Sequence, residues 1–184
     1  MKRTVTLAVA ALFAGPTVGW AQVQPTTPAP AGPIAAALQA AYRRASQNMV
    51  AAADDMPVEK LGFKPTPEQM TFGEVLAHEA ESNETLCAAL AGGQQAPTES
   101  AAGAAASKDA LITRLRASFE TCGGVVAALS ESALGDSVPF FGGRKVTKAR
   151  AAIALAQDWA DHYAQAAMYL RLNGILPPSA RRRM

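Results

Sequence analysis

Apolar and small residues recur along much of the chain at intervals of three and four, the spacing of one face of an α-helix. The first stripe ends before Pro57, and its members are Ile34, Leu38, Ala41, Ala45, Met49, Ala52 and Met56. Three further stripes cover residues 71–90, 108–130 and 147–172. Four long amphipathic helices in one domain predict an all-α four-helix bundle over residues 34–180.

The two cysteines indicate how the helices are connected. Cys87 and Cys122 lie at similar distances from the starts of the second and third helices. If those helices are parallel, the two thiols lie at nearly the same height, and the low-complexity residues 92–107 are long enough for the return crossover. We therefore predict an up-down-down-up topology with a long crossover between helices 2 and 3, and a Cys87–Cys122 disulfide. Two buried free thiols are the alternative.

The start of the chain fits an export signal. Lys2 and Arg3 precede an apolar run over residues 5–14, and the small residues Gly19 and Ala21 fit a cleavage site. The apolar run is well short of the ~20 residues that a membrane-spanning helix requires. We therefore predict a periplasmic or secreted protein with no membrane span after the signal is removed.

This interpretation divides the chain into four parts. They are a signal peptide at 1–21, a Pro-rich linker at 22–33, the bundle at 34–180 and a basic tail at 181–184.

Composition narrows the classes of function. Alanine accounts for 42 of 184 residues, which favours closely packed helices because alanine is the best helix former. Without Lys2 and Arg3, the chain has 15 basic residues and 15 acidic ones. Several of the bases lie in the tail, so the folded body is slightly acidic, and we expect no nucleic-acid binding.

Both histidines of the chain fall on or beside inner stripes. His78 lies near the start of helix 2 and His162 in the middle of helix 4, and antiparallel packing of these helices would place both toward one end of the bundle. Asp158 precedes His162 by one helical turn. Two imidazoles and a carboxylate form a plausible site for a divalent transition metal such as Zn, Ni or Fe.

Several segments of the chain match a known pattern. The closing YLRLNGILPP at 169–178 is the most specific, followed by FKPTPEQMTFGEVLAH at 63–78, with Asn83 and DHYAQ at 161–165 in addition. Together they resemble the DinB/YfiT-like superfamily of metal-dependent four-helix bundles. The resemblance covers essentially all of residues 34–180. It implies a bundle of the topology predicted above.

The resemblance also implies a metal triad of one histidine on helix 2 and an HxxxH pair on helix 4. His78 matches the first of these and His162 the last. Asp158 stands where the middle histidine is expected, and Ala164 replaces the glycine usual after His-Tyr. Aspartate can ligate, so the implied site has two imidazoles and one carboxylate.

The family includes thiol-dependent S-transferases and an isomerase, which implies a metal-dependent hydrolase or thiol S-transferase acting on a small-molecule substrate. No catalytic residue is assigned. Glu79, Ser82 and Tyr163 are candidates to hydrogen-bond the ligand side chains. The alternative is a non-catalytic helical binding or structural module, in which the metal site is degenerate or the histidines merely satisfy buried hydrogen bonds. A homodimer is compatible with either function.

Overall fold

The computed structural model describes residues 32–93 and 106–181. The four long helices are α1 Pro33–Asp55, α2 Phe72–Leu90, α3 Lys108–Ala127 and α4 Lys148–Leu172. The two strands are β1 Ser137–Pro139 and β2 Lys145–Thr147. Short 3₁₀ helices lie at Val58–Lys60, Glu131–Ala133, Phe141–Gly143 and Pro178–Ala180. The predicted four-helix bundle is confirmed.

Several predicted segments lie outside the described residues. They are the signal peptide at 1–21, residues 22–31 of the linker, residues 94–105 of the crossover and residues 182–184 of the basic tail. None of the helices in the described part of the chain combines the length and the apolar character needed to cross a bilayer.

Side-chain caps begin three of the four helices. At α2 the Thr71 hydroxyl accepts from the backbone N–H of Glu74 at 3.1 Å, while the Glu74 carboxylate accepts from the backbone N–H of Thr71 at 2.6 Å. Together these two bonds form a capping box. Ser107 and Thr147 cap α3 and α4 in the same way through their hydroxyls.

The start of α1 is capped from a distant part of the chain. Pro33 occupies the first turn, and the Glu131 carboxylate accepts from the backbone N–H groups of Ile34 and Ala35 at 3.4 and 3.2 Å. A carboxylate at this position also complements the positive end of the helix dipole. The contact therefore ties the start of α1 to the segment that follows α3.

Helices α2 and α3 run parallel, as predicted. Cys87 forms a disulfide with Cys122, with the two Cα atoms 5.4 Å apart. One turn earlier on both helices, the Asn83 amide donates to the Ser118 hydroxyl at 3.1 Å. Both pairs advance along the sequence together, which requires a parallel arrangement.

Helix α4 runs antiparallel to α2. The Phe72 and Tyr169 rings lie 6.1 Å apart near one end, whereas Asn83 pairs with Trp159 further along. Higher numbers on α2 thus meet lower numbers on α4. Helix α1 is antiparallel to α3, because residues near its start contact Glu131 and residues near its end contact Lys108. The topology is up-down-down-up.

Asn83 forms a hydrogen-bonded centre in the bundle core. Its Oδ1 accepts from the Trp159 indole at 2.7 Å, and its Nδ2 donates to Ser118, whose hydroxyl donates to the carbonyl of Leu115 at 2.8 Å. Asn83 is fully buried, so each of these bonds replaces one to water. Tyr42 of α1 packs 5.8 Å from the Trp159 ring.

The segment after α3 differs from the prediction. Helix α3 ends at Ala127 rather than near residue 130, and the residues between the two predicted helices contain an antiparallel hairpin in which Val138 pairs with Val146. The β-branched valines favour short strands, and Gly142 adopts a positive φ of 67° near the turn. Phe140 packs against the core, whereas Phe141 is 44% exposed.

Replacing the disulfide should lower stability. The cross-link spans a sequence separation of 35, and removing it in a Cys87→Ala/Cys122→Ala variant should lower the free energy of unfolding by about 2–4 kcal/mol. Guanidinium titration measures the change, and reduced wild-type protein separates loss of the bond from loss of packing. An unchanged midpoint in both samples would contradict the prediction.

Candidate metal centre

Helices α2 and α4 bring three ligand-type side chains together at their buried interface. Glu79 of α2 is 1% exposed. His162 of α4 is 5% exposed, and Asp158 is half-buried one turn before it. The antiparallel packing sets Glu79 opposite this pair, so the cluster follows directly from the register of the two helices.

The imidazole of His162 lies at the centre of the cluster. Its Nδ1 is 3.2 Å from Oε2 of Glu79, 3.3 Å from Oδ2 of Asp158 and 3.0 Å from the backbone carbonyl of Asp158. One ligand atom from each of the three residues lies within 4.8 Å of the other two. Within residues 32–93 and 106–181, no other group of His, Cys, Asp or Glu meets this criterion.

The carboxylates of this cluster lack hydrogen-bond donors. Both oxygens of Glu79 and Oδ2 of Asp158 are buried without a partner among the described residues. A single imidazole N–H cannot donate to all three oxygens. Of the oxygens near Nδ1 of His162, only the backbone carbonyl of Asp158 has the geometry of a hydrogen bond. Burying an unpaired carboxylate oxygen is costly, so these atoms fit a site that receives a cation.

The spacing of the donors also fits a divalent ion. Ligand atoms bound to one ion at 2.0–2.2 Å lie roughly 3–4 Å from each other. The distances of 3.2 and 3.3 Å from the imidazole to the two carboxylates fall in that range. A set of one nitrogen and two carboxylate oxygens suits borderline transition metals.

Burial and neighbouring charges shift the pKa values of Glu79 and His162 in opposite directions. Burial raises the pKa of Glu79, and His162 opposes the change. Burial lowers the pKa of His162, but the carboxylates of Asp158 and Glu79 outweigh it and raise that pKa to about 10. Without a metal ion, the carboxylates therefore favour the protonated imidazole, and a metal ion has to displace that proton.

His78 lies beside this cluster on the solvent side. Its side chain is exposed, and its ring centre is 4.9 Å from that of His162. His78 is not part of the three-residue set. Two imidazoles bound to one ion have ring centres roughly 5 Å apart, so the position suits a further ligand that meets solvent.

Ser82 and Tyr163, the other two candidates to hydrogen-bond the ligand side chains, are not part of the three-residue set. Ser82 is half-buried one turn after His78. The Tyr163 hydroxyl accepts from the backbone N–H of Ser179 at 2.8 Å, so it holds the C-terminal segment against α4.

Glu79 is the residue that the sequence interpretation undervalued, since it appears there only as a partner to a ligand. The position of Glu79 on the inner stripe of α2 could have indicated that it is buried. The buried residues Leu76, Asn83 and Cys87 continue the inner stripe of α2 at steps of three and four through Glu79. A carboxylate on an apolar stripe is unusual, and His78 lies one position off it.

Sequence comparison decides the family. A model described as the DinB superfamily matches residues 41–166, more than half of the chain. The chain belongs to the DinB superfamily. No curated protein matches the sequence.

Solved structures share the DinB fold. A DinB-like protein from Bacillus cereus is 15% identical, with a TM-score of 0.65, and the match covers 77% of this chain and 93% of that one. A DinB-like protein from Bacillus subtilis is 18% identical, with a TM-score of 0.63 and coverages of 80% and 99%. At these identities the likeness shows the fold alone.

The mycothiol-dependent maleylpyruvate isomerase has the same fold over part of its length. It is 16% identical with a TM-score of 0.61, and the match covers 71% of this chain. This chain spans only 59% of that isomerase.

Neutralising Glu79 should leave the metal-free protein at least as stable as wild type. The metal-free cluster has two carboxylates for one imidazole, so Glu79→Gln removes an excess buried charge and should raise the free energy of unfolding by about 1 kcal/mol in chelator. Urea titration measures this, with Glu120→Gln, an exposed carboxylate of α3, as the control. A loss above about 2 kcal/mol would instead identify Glu79 as a structural hydrogen-bonding residue.

Proposed function

We propose that this DinB-superfamily protein is an exported metal-dependent enzyme. Glu79, Asp158 and His162 hold one divalent transition-metal ion, and His78 is its fourth, solvent-facing ligand. The observation that carries the proposal is the buried carboxylate of Glu79, whose oxygens lack a hydrogen-bond donor and lie against His162 and Asp158.

A bound Zn, Ni or Fe ion supplies a Lewis acid that lowers the pKa of a coordinated water or thiol. The protein's own groups arrange the site for that chemistry. The charges of Glu79 and Asp158 balance a divalent ion, and the buried side of the cluster keeps water away from them. The exposed face at His78 leaves one side open to a small molecule.

The reaction class is a hydrolysis or a thiol transfer. The shared fold with a mycothiol-dependent isomerase supports the thiol branch, because that relative depends on a thiol. The exposed side of the cluster at His78 is compatible with both hydrolysis and thiol transfer, because water and a thiol would each have to reach the ion from solvent.

A second candidate is a non-catalytic helical module. The contact of 3.0 Å between His162 Nδ1 and the Asp158 carbonyl favours it, because an imidazole N–H that donates there cannot ligate through the same nitrogen. In that case the cluster is a metal-free hydrogen-bonded group.

Metal analysis separates the two candidates. Protein purified without chelator or affinity metal, then stripped and titrated with Zn²⁺ or Co²⁺, should bind close to one ion per chain. Glu79→Ala, Asp158→Ala and His162→Ala should each weaken binding by at least about tenfold, whereas the exposed Glu120→Ala on α3 should leave it unchanged. Substoichiometric metal that His162→Ala does not alter would favour the non-catalytic module.

The proposal also includes export to an oxidising compartment. The Cys87–Cys122 disulfide supports it, because structural disulfides persist outside the reducing cytosol. The basic and apolar start of the chain adds to this support.

Export predicts a defined mature terminus. When the full chain is expressed in a bacterium with two membranes, the periplasmic fraction should contain protein that begins at Gln22 and has no free thiol. N-terminal sequencing and the mass before and after alkylation measure both properties. Protein that retains Met1 in the cytoplasmic fraction would contradict export.

A further inference from the structure

The two helices that form the candidate metal centre are markedly acidic around it. Helix α2 contains four carboxylates, Glu74, Glu79, Glu81 and Glu84, and neither lysine nor arginine. Helix α4 contains Asp158 and Asp161, and its basic residues are near its ends. The closest along α4 are Arg150, eight residues before Asp158, and Arg171, nine residues after His162, which correspond to about 12 and 13.5 Å along the axis.

Two cations on neighbouring elements lie beside carboxylates outside the cluster, Arg114 beside Glu84 and Glu81, and Lys64 beside Glu74. Arg114 of α3 donates to both oxygens of Glu84 at 3.1 and 2.8 Å. Lys64 lies before α2, near the Glu74 carboxylate, whose pKa is lowered first by its hydrogen bonds to Thr71 and then by Lys64. The pKa shifts of Glu79 and His162 arise from burial and from the groups of the cluster itself, with no lysine or arginine among their causes.

Two further acidic side chains lie close in sequence to the ligand-type residues of α2 and α4. Asp161 is exposed on α4, one residue before His162, and accepts from the Gln165 amide at 2.9 Å. Glu81 lies on α2, three residues after His78. The unpartnered carboxylate of Glu79 is aimed into the same cluster and is 1% exposed.

We propose that this site selects small molecules that carry a positive charge or none, and that it rejects carboxylates and phosphates. Glu81 and Asp161 attract the positive end of the molecule, while a neutral donor atom of the molecule faces the ion. This inference rests on the proposed metal site.

The physical reason is the charge balance of the site. Glu79 and Asp158 already neutralise a divalent ion, so an anionic ligand adds a negative charge without a cation to pair with it. Sites that recognise carboxylates or phosphates usually provide arginine in a bidentate geometry. A positive group near Glu81 and Asp161 gains attraction instead.

Three pyridines with different charges test this selectivity. The probes are 4-(aminomethyl)pyridine, 4-(hydroxymethyl)pyridine and 4-pyridylacetate, which present the same donor nitrogen with a positive, a neutral and a negative substituent. The para position prevents chelation of one ion. The purified protein is first loaded with Co²⁺, and its visible spectrum reports both the loading and the binding of each pyridine.

We expect the aminomethyl compound to bind about three- to tenfold more tightly than the hydroxymethyl compound, and the acetate to bind more weakly by a similar factor. The differences in affinity among the three pyridines should become smaller in 0.5 M salt and in Glu81→Gln/Asp161→Asn. Salt screens the negative charges of the site, and the double variant removes two of them. Glu120→Gln, an exposed carboxylate of α3, is the matched control and should retain these differences.

The outcomes separate this inference from the proposed function. A protein that does not bind Co²⁺ would overturn the metal site and the selectivity together. A protein that binds Co²⁺ but binds the three pyridines equally, or prefers the acetate, would overturn the selectivity alone. Unchanged differences in affinity in the double variant would show that Glu81 and Asp161 do not cause them.

Discussion

The side chain of Asn83 sets the register of three helices. It accepts from Trp159 on α4 and donates to Ser118 on α3, and it is fully buried. A slip of one helix by a turn would leave these polar groups unpaired in the core, which costs more than the bonds contribute when formed. The disulfide one turn further along fixes the same register between α2 and α3 covalently. The contact between Glu79 and His162 depends on this register. Glu79 lies four residues before Asn83 on α2, and His162 lies three residues after Trp159 on α4.

Small residues allow the helices to approach closely enough for these contacts. Ala52 on α1 and Ala151 and Ala166 on α4 are fully buried on the inner stripes of their helices. The interior also contains the aromatic rings of Tyr42, Phe119 and Trp159 and the cluster of Glu79, Asp158 and His162. The hydrogen bonds of Asn83 and the disulfide stabilise this packing, whereas burial of the unpartnered Glu79 carboxylate opposes it.

Local patterns were sufficient to predict the helices, because each stripe of apolar and small residues repeats within one or two turns. The topology was also predictable, since the heights of Cys87 and Cys122 and the length of residues 92–107 constrain the same geometry. The hairpin was missed because its two short strands are stabilised by pairing and by contact with the core rather than by local pattern. The place of Glu79 in the cluster was not predicted, because the neighbouring His78 is of the residue type that the family's metal site has on helix 2. Only side-chain packing shows that Glu79 is buried and His78 exposed.

The disulfide has a further consequence for the integrity of the chain. Cys87 and Cys122 lie on either side of residues 94–105, so a protease that cleaves within that segment leaves two fragments joined by one covalent bond. Glu79 belongs to the first fragment, and Asp158 and His162 belong to the second. The nicked protein would still carry its ligand residues in a single molecule, at the local concentration that the cross-link provides.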